Sequence, residues 1–380
     1  MFERYPKLII MSISISNEIS EETLERALQY ITTFKSKQAF INKIPSVKKT
    51  PKKDIIANFQ RNYQDDRLVL VLGAGVSMGF GLPNWDALLQ KLMITTIEKE
   101  QSVSTVLSKL FTNIFQPSPL IAGRFLQKYY EDKQMLFEEA VQKILYSSLD
   151  MNKQSELMDE IVNFCVAPGK RHSLDSIITY NFDDILEQRI DSIGIDVPFK
   201  SIFGTEMNAH GQLPIYHVHG FLPHKGALSV DNQITFGESI YHKQYIDIYS
   251  WNNIVQINKF RDCNCIFIGT SLTDPNIRRL LDIARRQKGK SPNSHFIFKM
   301  RHKEADVKQR LNSLLNENKQ LLDEKSLANL EFDKTVKFLI EIVEKFEERD
   351  TESFGVSTLW VDAWSEVPSI LNQIRTLKTS

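Results

Sequence analysis

The 380-residue sequence has few cysteines and no long hydrophobic run. Its three cysteines, Cys165, Cys263 and Cys265, form no Cys-x-x-Cys pair, which argues against a structural zinc site and fits a reducing cytoplasm. We interpret Cys263 and Cys265 as buried thiols of a strand. No apolar run reaches the length of a membrane span, and residues 7–15 are too short and too rich in hydroxyls for a signal peptide. The sequence therefore predicts a cytoplasmic protein without a membrane segment.

Neither sign of charge is in excess, because 47 basic residues balance 47 acidic ones. No global field attracts nucleic acid or a membrane surface, so such a contact would need a local patch. The basic segment 43–53 contains two prolines and is interpreted as a solvated linker, with a docking segment for a partner or DNA as the alternative. The apolar spacing before it predicts a helix over residues 17–42. We therefore expect residues 1–60 to form an N-terminal helical extension with a basic linker.

Short apolar segments alternate with helical patterns through residues 61–380, which we expect to form the main domain. Helical patterns dominate from about residue 87 to 165 and predict a helical insertion. The alternation predicts an α/β fold with a Rossmann-like, doubly wound and mainly parallel sheet. After the first strand, the predicted strands are Ser176–Tyr180, Val197–Phe203, Ile215–Val218, Cys263–Ile268, His295–Lys299 and Thr358–Val361.

The first strand ends in a glycine-rich turn. The apolar run Leu68–Leu72 is followed by Gly73, Ala74, Gly75 and Ser77. A turn of this kind brings backbone amides close to a pyrophosphate, and Ser77 either caps the next helix or binds a phosphate. A hydride-transfer enzyme would also carry an acid at the end of a second strand about 20 residues later. At that distance the chain has only glutamates within a helical pattern, which argues against hydride transfer.

Two further strands end in residues that can do chemistry. Asn181 and Asp183 follow one strand, and His217 and His219 close another. Alternation along a strand predicts that the two histidines share one face, with His219 as the catalytic candidate and His217 as a supporting or core residue. An asparagine or aspartate here is also a good helix cap, and that alternative stays open. The histidines lack a nearby set of acids or thiols, so no metal is predicted.

A fourth loop follows the strand that ends at Ile268. Its residues Gly269, Thr270 and Ser271 offer hydroxyls and backbone amides to a ribose or a phosphate. The dipeptide Asp274-Pro275 is also typical of an ordinary helix start, and the two roles are compatible.

Together these motifs resemble the sirtuin superfamily, in family order and over roughly residues 65–300. The resemblance implies that Asn181 and His219 carry the chemistry and that NAD is the bound nucleotide. The NAD contacts that it implies are Gly73, Ala74, Gly75, Asp183, Gly269, Thr270 and Ser271, to which we add Ser77 from the glycine loop.

The differences from sirtuin deacylases indicate which group of the superfamily the sequence resembles most. The four-cysteine zinc module of the deacylases is missing, and an all-helical stretch stands in its place. The segments Gly81–Trp85, Asn181–Asp183 and Asp274–Asn276 are instead similar to bacterial sirtuin-like NADases of antiphage defence. That resemblance implies hydrolysis of NAD to nicotinamide and ADP-ribose, which starves an infected cell. The compact length further resembles the sirtuin-like subunit that works with a separate HerA-type ATPase, and we expect a homo-oligomer.

Two other functions remain open from the sequence. The first is an NAD-dependent protein deacylase. The second is a non-catalytic subunit that binds NAD or ADP-ribose within a larger assembly, which could process DNA. Both use the same nucleotide site, so they differ from the hydrolase only in the fate of the bound NAD.

Overall fold

The computed structural model describes residues 50–101, 119–166, 174–206, 208–229, 231–236, 245–288, 295–318 and 330–376, together with residues 26, 41 and 44. The chain divides into two compact units, residues 50–299 with 354–380 and residues 1–49 with 300–353. The helix predicted over residues 17–42 lies almost entirely outside the described residues. The domain boundary predicted at residue 60 stays a prediction.

The first unit is built on a seven-stranded sheet with the order β3-β4-β2-β1-β5-β6-β7. The pairs β1–β2, β1–β5, β2–β4, β3–β4 and β5–β6 are parallel. This confirms the predicted Rossmann-like α/β fold with a parallel sheet. The strands are β1 Leu68–Leu72, β2 Leu174–Thr179, β3 Phe199–Ile202, β4 Leu213–His217, β5 Asn264–Ile268, β6 His295–Met300 and β7 Val356–Val361.

Helices lie between most consecutive strands, as is usual for parallel strands, whereas β3 and β4 follow each other without a helix. In the first unit they are α1 Lys52–Gln64, α2 Trp85–Gln101, α3 Pro119–Asp132, α4 Phe137–Leu145, α5 Glu156–Cys165, α6 Ile185–Ser192, α7 Trp251–Asp262, α8 Pro275–Lys288 and α11 Glu366–Arg375. In the second unit they are α9 Glu304–Glu317 and α10 Phe332–Ser353. The helices α2 to α5 correspond to the insertion predicted over residues 87–165. No helix within the described ranges has the length and hydropathy needed to cross a membrane.

Strand β1 lies at the centre of the sheet and is buried along its whole length. Leu68, Leu70 and Leu72 pack into one apolar cluster, and Val69 and Val71 pack into another. Alternate side chains of a strand point to opposite faces, so both faces of β1 are covered. This burial explains why the run is continuously apolar rather than alternating.

The strand order reverses between β1 and β5. From β1 the chain runs through β2, β3 and β4, with β4 lying between β2 and β3, and it then returns to place β5 on the other side of β1. Ligands of open parallel sheets bind beyond the carboxyl ends of the strands at this switch point. The loops after β1 and β5 meet there, and they contain Gly73, Gly75 and Gly269.

The helix α1 was not predicted from the sequence. Its positions Ile55, Phe59 and Tyr63 recur every four residues and are buried on one face. Phe59 packs edge-on against Phe296 of β6 with ring centroids 5.1 Å apart. The prolines and lysines of the preceding segment obscured this pattern, although Pro51 is well suited to precede a helix.

In the second unit, α9 and α10 pack through a small apolar cluster that includes Leu311, Leu315 and Val336. The acidic stretch 341–352 forms the last part of α10. Most of its side chains are exposed or half-buried, which fits a solvated helix end.

Candidate active site

The loops after β1 and β5 are joined by backbone hydrogen bonds. The amide of Gly73 donates to the carbonyl of Ile268 at 2.9 Å, and the amide of Gly75 donates to that of Gly269 at 2.9 Å. A Cβ at Gly73 would lie 2.6 Å from Gly269 O, and one at Gly75 would lie 2.7 Å from Gly269 Cα. The glycines are therefore required by the close approach of the two loops themselves.

The joined loops present an exposed rim at the carboxyl edge of the sheet. Ala74, Gly75 and Ser271 are exposed, and Thr270 is half-buried. The Ser271 and Thr273 hydroxyls are 2.8 Å apart. The rim thus contains four of the predicted nucleotide contacts, and they lie where a ligand can reach them.

Asn181 lies directly beneath this rim and is 9% exposed. Its Nδ2 donates to Gly73 O at 3.1 Å and to Ser77 Oγ at 3.1 Å. A backbone carbonyl can only accept, so these bonds orient the amide with its nitrogen toward the glycine loop. Its own backbone amide donates to Thr179 Oγ1 at 3.1 Å. The side-chain carbonyl oxygen is left as the acceptor that Asn181 can offer to a ligand.

Asp183 is buried and accepts two hydrogen bonds on Oδ1. Ser77 Oγ donates at 2.9 Å, and the Ile185 amide at the start of α6 donates at 3.2 Å. The helix-cap interpretation does not hold for Asp183, because the N-cap of α6 is Asp184, and the bond from Ile185 to Asp183 forms an Asx turn just before the helix. Burial raises the pKa of this carboxyl to about 6, although both hydrogen bonds lower it in part. Ser77 is likewise buried and bonded to both Asn181 and Asp183, so its hydroxyl orients the site from within.

The raised pKa of Asp183 predicts a pH-dependent stability. The folded chain holds the proton of Asp183 up to about pH 6, whereas the unfolded chain releases it near pH 4. The contribution of Asp183 to the free energy of unfolding of the wild type is therefore largest below pH 4, and it is lost as the pH rises through 6. In Asp183→Asn, which keeps both acceptor contacts, this loss should disappear, a difference on the order of 3 kcal/mol between pH 4 and 7. Urea unfolding of the wild type and the variant at several pH values measures this difference. The same pH dependence of the free energy of unfolding in both proteins would contradict the prediction.

His219 follows β4, which is the neighbour of β2 in the sheet. Its strand neighbour His217 pairs with Thr179, so Asn181 and His219 both follow a paired position by two residues. Its side chain is 11% exposed, and Nε2 lies 4.0 Å from Asp274 Oδ2. Burial lowers the pKa of His219, and Asp274 offsets this only in part. The imidazole is therefore neutral at pH 7 and can accept a proton.

Tyr180 packs against His219 with ring centroids 4.8 Å apart. Its hydroxyl donates to Gln256 Oε1 of α7 at 2.7 Å. Asn252 of the same helix donates from Nδ2 to Val218 O at 3.1 Å. Helix α7 thus supports both the ring beside His219 and the backbone that precedes it.

The prediction that His217 and His219 share one face is wrong. Strand β4 ends at His217, and the Gly220 amide donates back to His217 O at 3.1 Å, so a turn follows at once. His217 is 1% exposed and faces Glu187 of α6. His219 faces Tyr180 and Asp274 instead. The alternation of a strand cannot be extended past its last paired residue.

Three polar residues of the site were missed or given another role by sequence reasoning. Glu187 was not predicted, although it lies in the first turn of α6, four residues after Asp183. Asp274 was interpreted as a helix start, and its Oδ1 does accept from the amides of Asn276 at 2.7 Å and Ile277 at 3.1 Å. Its other oxygen faces His219. Gln256 carried no sequence signal, because its role depends on the packing of α7.

The helical insertion contacts the site through Tyr146, which follows α4. The Tyr146 hydroxyl lies 3.0 Å from Asp184 Oδ1 and donates to Leu222 O at 2.7 Å. It also accepts from the Asp184 amide at 3.1 Å. The insertion therefore holds the loop that follows Asp183 and the loop that follows Gly220.

Cys263 and Cys265 are buried, as predicted, but only Cys265 lies in a strand, because Cys263 follows α7 directly and precedes β5. All three are buried, and burial raises the pKa of each thiol. Within the described ranges, no group of three or more His, Cys, Asp or Glu side chains is arranged to hold a metal ion.

Comparison with known proteins supports the resemblance carried by the motifs. Residues 175–322 match the family model of the SIR2-like domain. Over 332 residues the chain is 20% identical to NAD(+) hydrolase ThsA of Acinetobacter baumannii (strain 532279). That alignment covers 85% of this chain but only 56% of the relative, so the chain spans about half the length of the curated protein it matches. The predicted resemblance to sirtuin-like proteins is confirmed, and the matched range contains Asn181, Asp183 and His219.

Proposed function

We propose that this sirtuin-like chain is an NAD+ hydrolase that cleaves the nicotinamide N-glycosidic bond. One observation carries the proposal: Asn181 and a neutral His219 follow paired positions of adjacent strands, beside the joined glycine loops at the switch point of the sheet. The alignment with an NAD(+) hydrolase over most of this chain supports the same substrate.

The proposed reaction consumes one water and yields nicotinamide, ADP-ribose and a proton. The nicotinamide of NAD+ is positively charged and leaves as a neutral ring, so the enzyme mainly has to position the ribose and a water. Asn181 offers its carbonyl oxygen to that water or to a ribose hydroxyl, because its nitrogen is held by Gly73 O and Ser77 Oγ. His219 accepts the proton or anchors the ribose. The carboxylate of Asp274 then faces the protonated imidazole.

The NAD contacts outside the reacting centre are proposed at the exposed rim. Ala74, Thr270 and Ser271 supply backbone amides and hydroxyls to the phosphates and the adenosine ribose, and Gly75, whose amide is bonded to Gly269 O, adds an exposed surface without a side chain. Gly73, Gly269, Ser77 and Asp183 act from beneath by holding the loops and Asn181 in place.

The expected result is release of nicotinamide and ADP-ribose when the purified chain is incubated with NAD+, with no acyl-lysine peptide present. Chromatography of the reaction, with and without the product of the neighbouring gene, measures it. Nicotinamide release only in the presence of an acylated peptide would support the deacylase instead. Saturable NAD binding with no turnover under any of these conditions would support the non-catalytic subunit.

The wider role that we propose is antiphage defence by NAD depletion in the cytoplasm. An enzyme that consumes NAD must be restrained, so we propose that a homo-oligomer or a separate partner, such as a HerA-type ATPase, controls its activity. Infection of cells that carry the chain with and without its gene neighbour tests this role through the cellular NAD level. A constant NAD level in protected cells would contradict depletion as the mechanism, without touching the chemistry of the site.

A further inference from the structure

The imidazole of His217 lies between two hydrogen-bond acceptors. Nδ1 is 3.2 Å from the backbone carbonyl of Asn181, and Nε2 is 2.7 Å from Glu187 Oε1. A carbonyl has no proton to give, so the first contact requires a proton on Nδ1. The second contact is then either an imidazolium beside a carboxylate or a neutral ring beside a carboxylic acid.

The surroundings of Glu187 favour the charged pair. Ser201 Oγ of β3 donates to the same Oε1 at 2.8 Å, and a donor of this kind stabilises the ionised carboxylate. The two charges also stabilise each other: His217 lowers the pKa of Glu187, and Glu187 raises the pKa of His217. Both side chains are buried, with exposures of 1% for His217 and 9% for Glu187. Charge-assisted hydrogen bonds of buried groups are among the stronger ones in proteins.

His295 provides an internal comparison. It is as buried as His217, at 3% exposure, and it also uses both ring nitrogens. However, its Nδ1 accepts from the Cys265 amide at 3.2 Å, while Nε2 faces Phe260 O at 2.9 Å. One acceptor and one donor fix a neutral ring, and burial lowers its pKa to about 4. A buried imidazole beside one donor and one acceptor is therefore neutral in this protein, and His217 differs because both of its partners are acceptors.

The pair reaches the reacting centre through Asn181. The side chain of Asn181 is held from the loop side by Gly73 O and Ser77 Oγ, and its backbone carbonyl is held from below by His217. Ser77, Asn181, Asp183, Glu187 and His217 also line one small buried cavity of about 10 Å³, so little space is left for the Asn181 loop to shift. Displacing His217 would remove the hydrogen bond that fixes the backbone carbonyl of Asn181 from below.

We propose that Glu187 and His217 form a buried carboxylate–imidazolium pair that positions Asn181 for catalysis, with neither residue touching the substrate. This inference rests on the proposed NAD hydrolysis for its kinetic consequence. The pair itself is inferred from the two hydrogen bonds of the ring.

The kinetic test replaces each residue of the pair by glutamine, a neutral residue of similar size. Glu187→Gln and His217→Gln should each lower kcat about 10-fold, the effect of one hydrogen bond to a charged group, with KM for NAD+ changed less than about 2-fold. The double variant should be little worse than either single variant, because both remove the same interaction. His295→Gln is the matched control: it removes an equally buried imidazole and should leave kcat per folded molecule unchanged. A purely structural role of the pair would lower stability in all variants and leave kcat of the folded protein intact, which would overturn the proposal.

A spectroscopic test addresses the charge directly and does not depend on turnover. The groups that face the Glu187–His217 pair are Asp183 before α6, Ser201 of β3, the thiol of Cys165 and the ring of Phe221. In the full-length chain labelled with ¹⁵N-histidine, both nitrogens of His217 should keep imidazolium shifts at pH 7, where an unperturbed imidazole is mostly neutral, and in Glu187→Gln the ring should become neutral at that pH. His295 should show a neutral ring at pH 6. A neutral His217 in wild type at pH 7 would overturn the charged pair.

The kinetic and spectroscopic tests together show which of the two proposals fails. If wild type hydrolyses NAD+ while both glutamine variants match it, the positioning role is refuted and the proposed function stands. If wild type hydrolyses no NAD+ under any condition, the proposed function fails, and the nitrogen shifts still decide whether the pair is charged.

Discussion

Replacing Asn181 by alanine should lower the rate of NAD+ hydrolysis by about 100-fold or more, the usual size of a lost positioning or general-base effect. The amide is held by Gly73 O and Ser77 Oγ, so its carbonyl oxygen has a defined direction toward the rim of the site. Alanine removes that acceptor. Nicotinamide release under saturating NAD+ measures the change as kcat.

A matched control separates chemistry from stability. Asn253 of α7 is also a buried asparagine, and its Nδ2 donates to Asp247 O at 2.9 Å. Asn253→Ala should lower the free energy of unfolding as Asn181→Ala does, with kcat of the folded fraction preserved. Equal rates for Asn181→Ala and wild type would remove Asn181 from the proposed mechanism.

His219→Ala should have an effect of similar size, about 100-fold. The companion His219→Gln distinguishes the two roles left open for this ring, since glutamine can hold a ribose hydroxyl but cannot take a proton near neutral pH. Full activity of His219→Gln would exclude the base and keep the anchor. Because burial lowers the pKa of His219, the wild-type rate should fall only when the pH drops below the usual imidazole pKa of about 6.5. Unchanged NAD+ consumption in Asn181→Ala and in His219→Ala would refute the assignment of the site.

Gly220→Ala should cause a large loss of stability in the same region. Gly220 follows His219 and has φ +103°, a backbone conformation that alanine adopts at a cost. A Cβ there would lie 2.1 Å from Gln233 O and 2.7 Å from Ile234 Cα, both of the backbone. The strained φ costs about 1 to 3 kcal/mol, and the overpacking adds a similar amount.

The control for this prediction is Gly226→Ala. Gly226 has φ +102°, and a Cβ there would meet no atom within 4 Å, so the substitution carries the strain without the clash. The loss in free energy of unfolding should be about 2 kcal/mol larger for Gly220→Ala than for Gly226→Ala. Urea unfolding at one pH compares the two. An equal loss in free energy of unfolding for the two variants would mean that the segment 231–236 moves to accommodate the new Cβ. The segment would then not hold the turn after His219 in place.

The strands and the chemical motifs could be predicted from the sequence, because their signals are local. Each predicted strand after β1 was found within a few residues, for example Cys263–Ile268 as β5 Asn264–Ile268. Asn181, Asp183 and His219 follow strands, and residues after parallel strands share one edge of a sheet. Helix α1 was missed, although Ile55, Phe59 and Tyr63 carry its period, because proline and lysine dominate the residues before it.

The partners within the site could not be predicted in the same way. Glu187 and Asp274 look like ordinary charges of a helix, and only packing brings them to His217 and His219. The glycines of the first loop were interpreted as room for a phosphate, and the structure shows that Gly73 and Gly75 also make room for the loop at Gly269. The sequence shows which residue types are able to form a contact, but it does not show which helices, strands and loops pack against each other.

The sequence by itself determined the α/β class, the continuous burial of β1 and the residues that can do chemistry, since hydrophobic periodicity and turn residues act over a few positions. Only the tertiary structure decided the direction of the two histidines, the charge of the His217 ring and the neutral state of His219. Those properties depend on which acceptors and carboxylates surround each ring after folding, and the partners come from helices and loops distant in the chain.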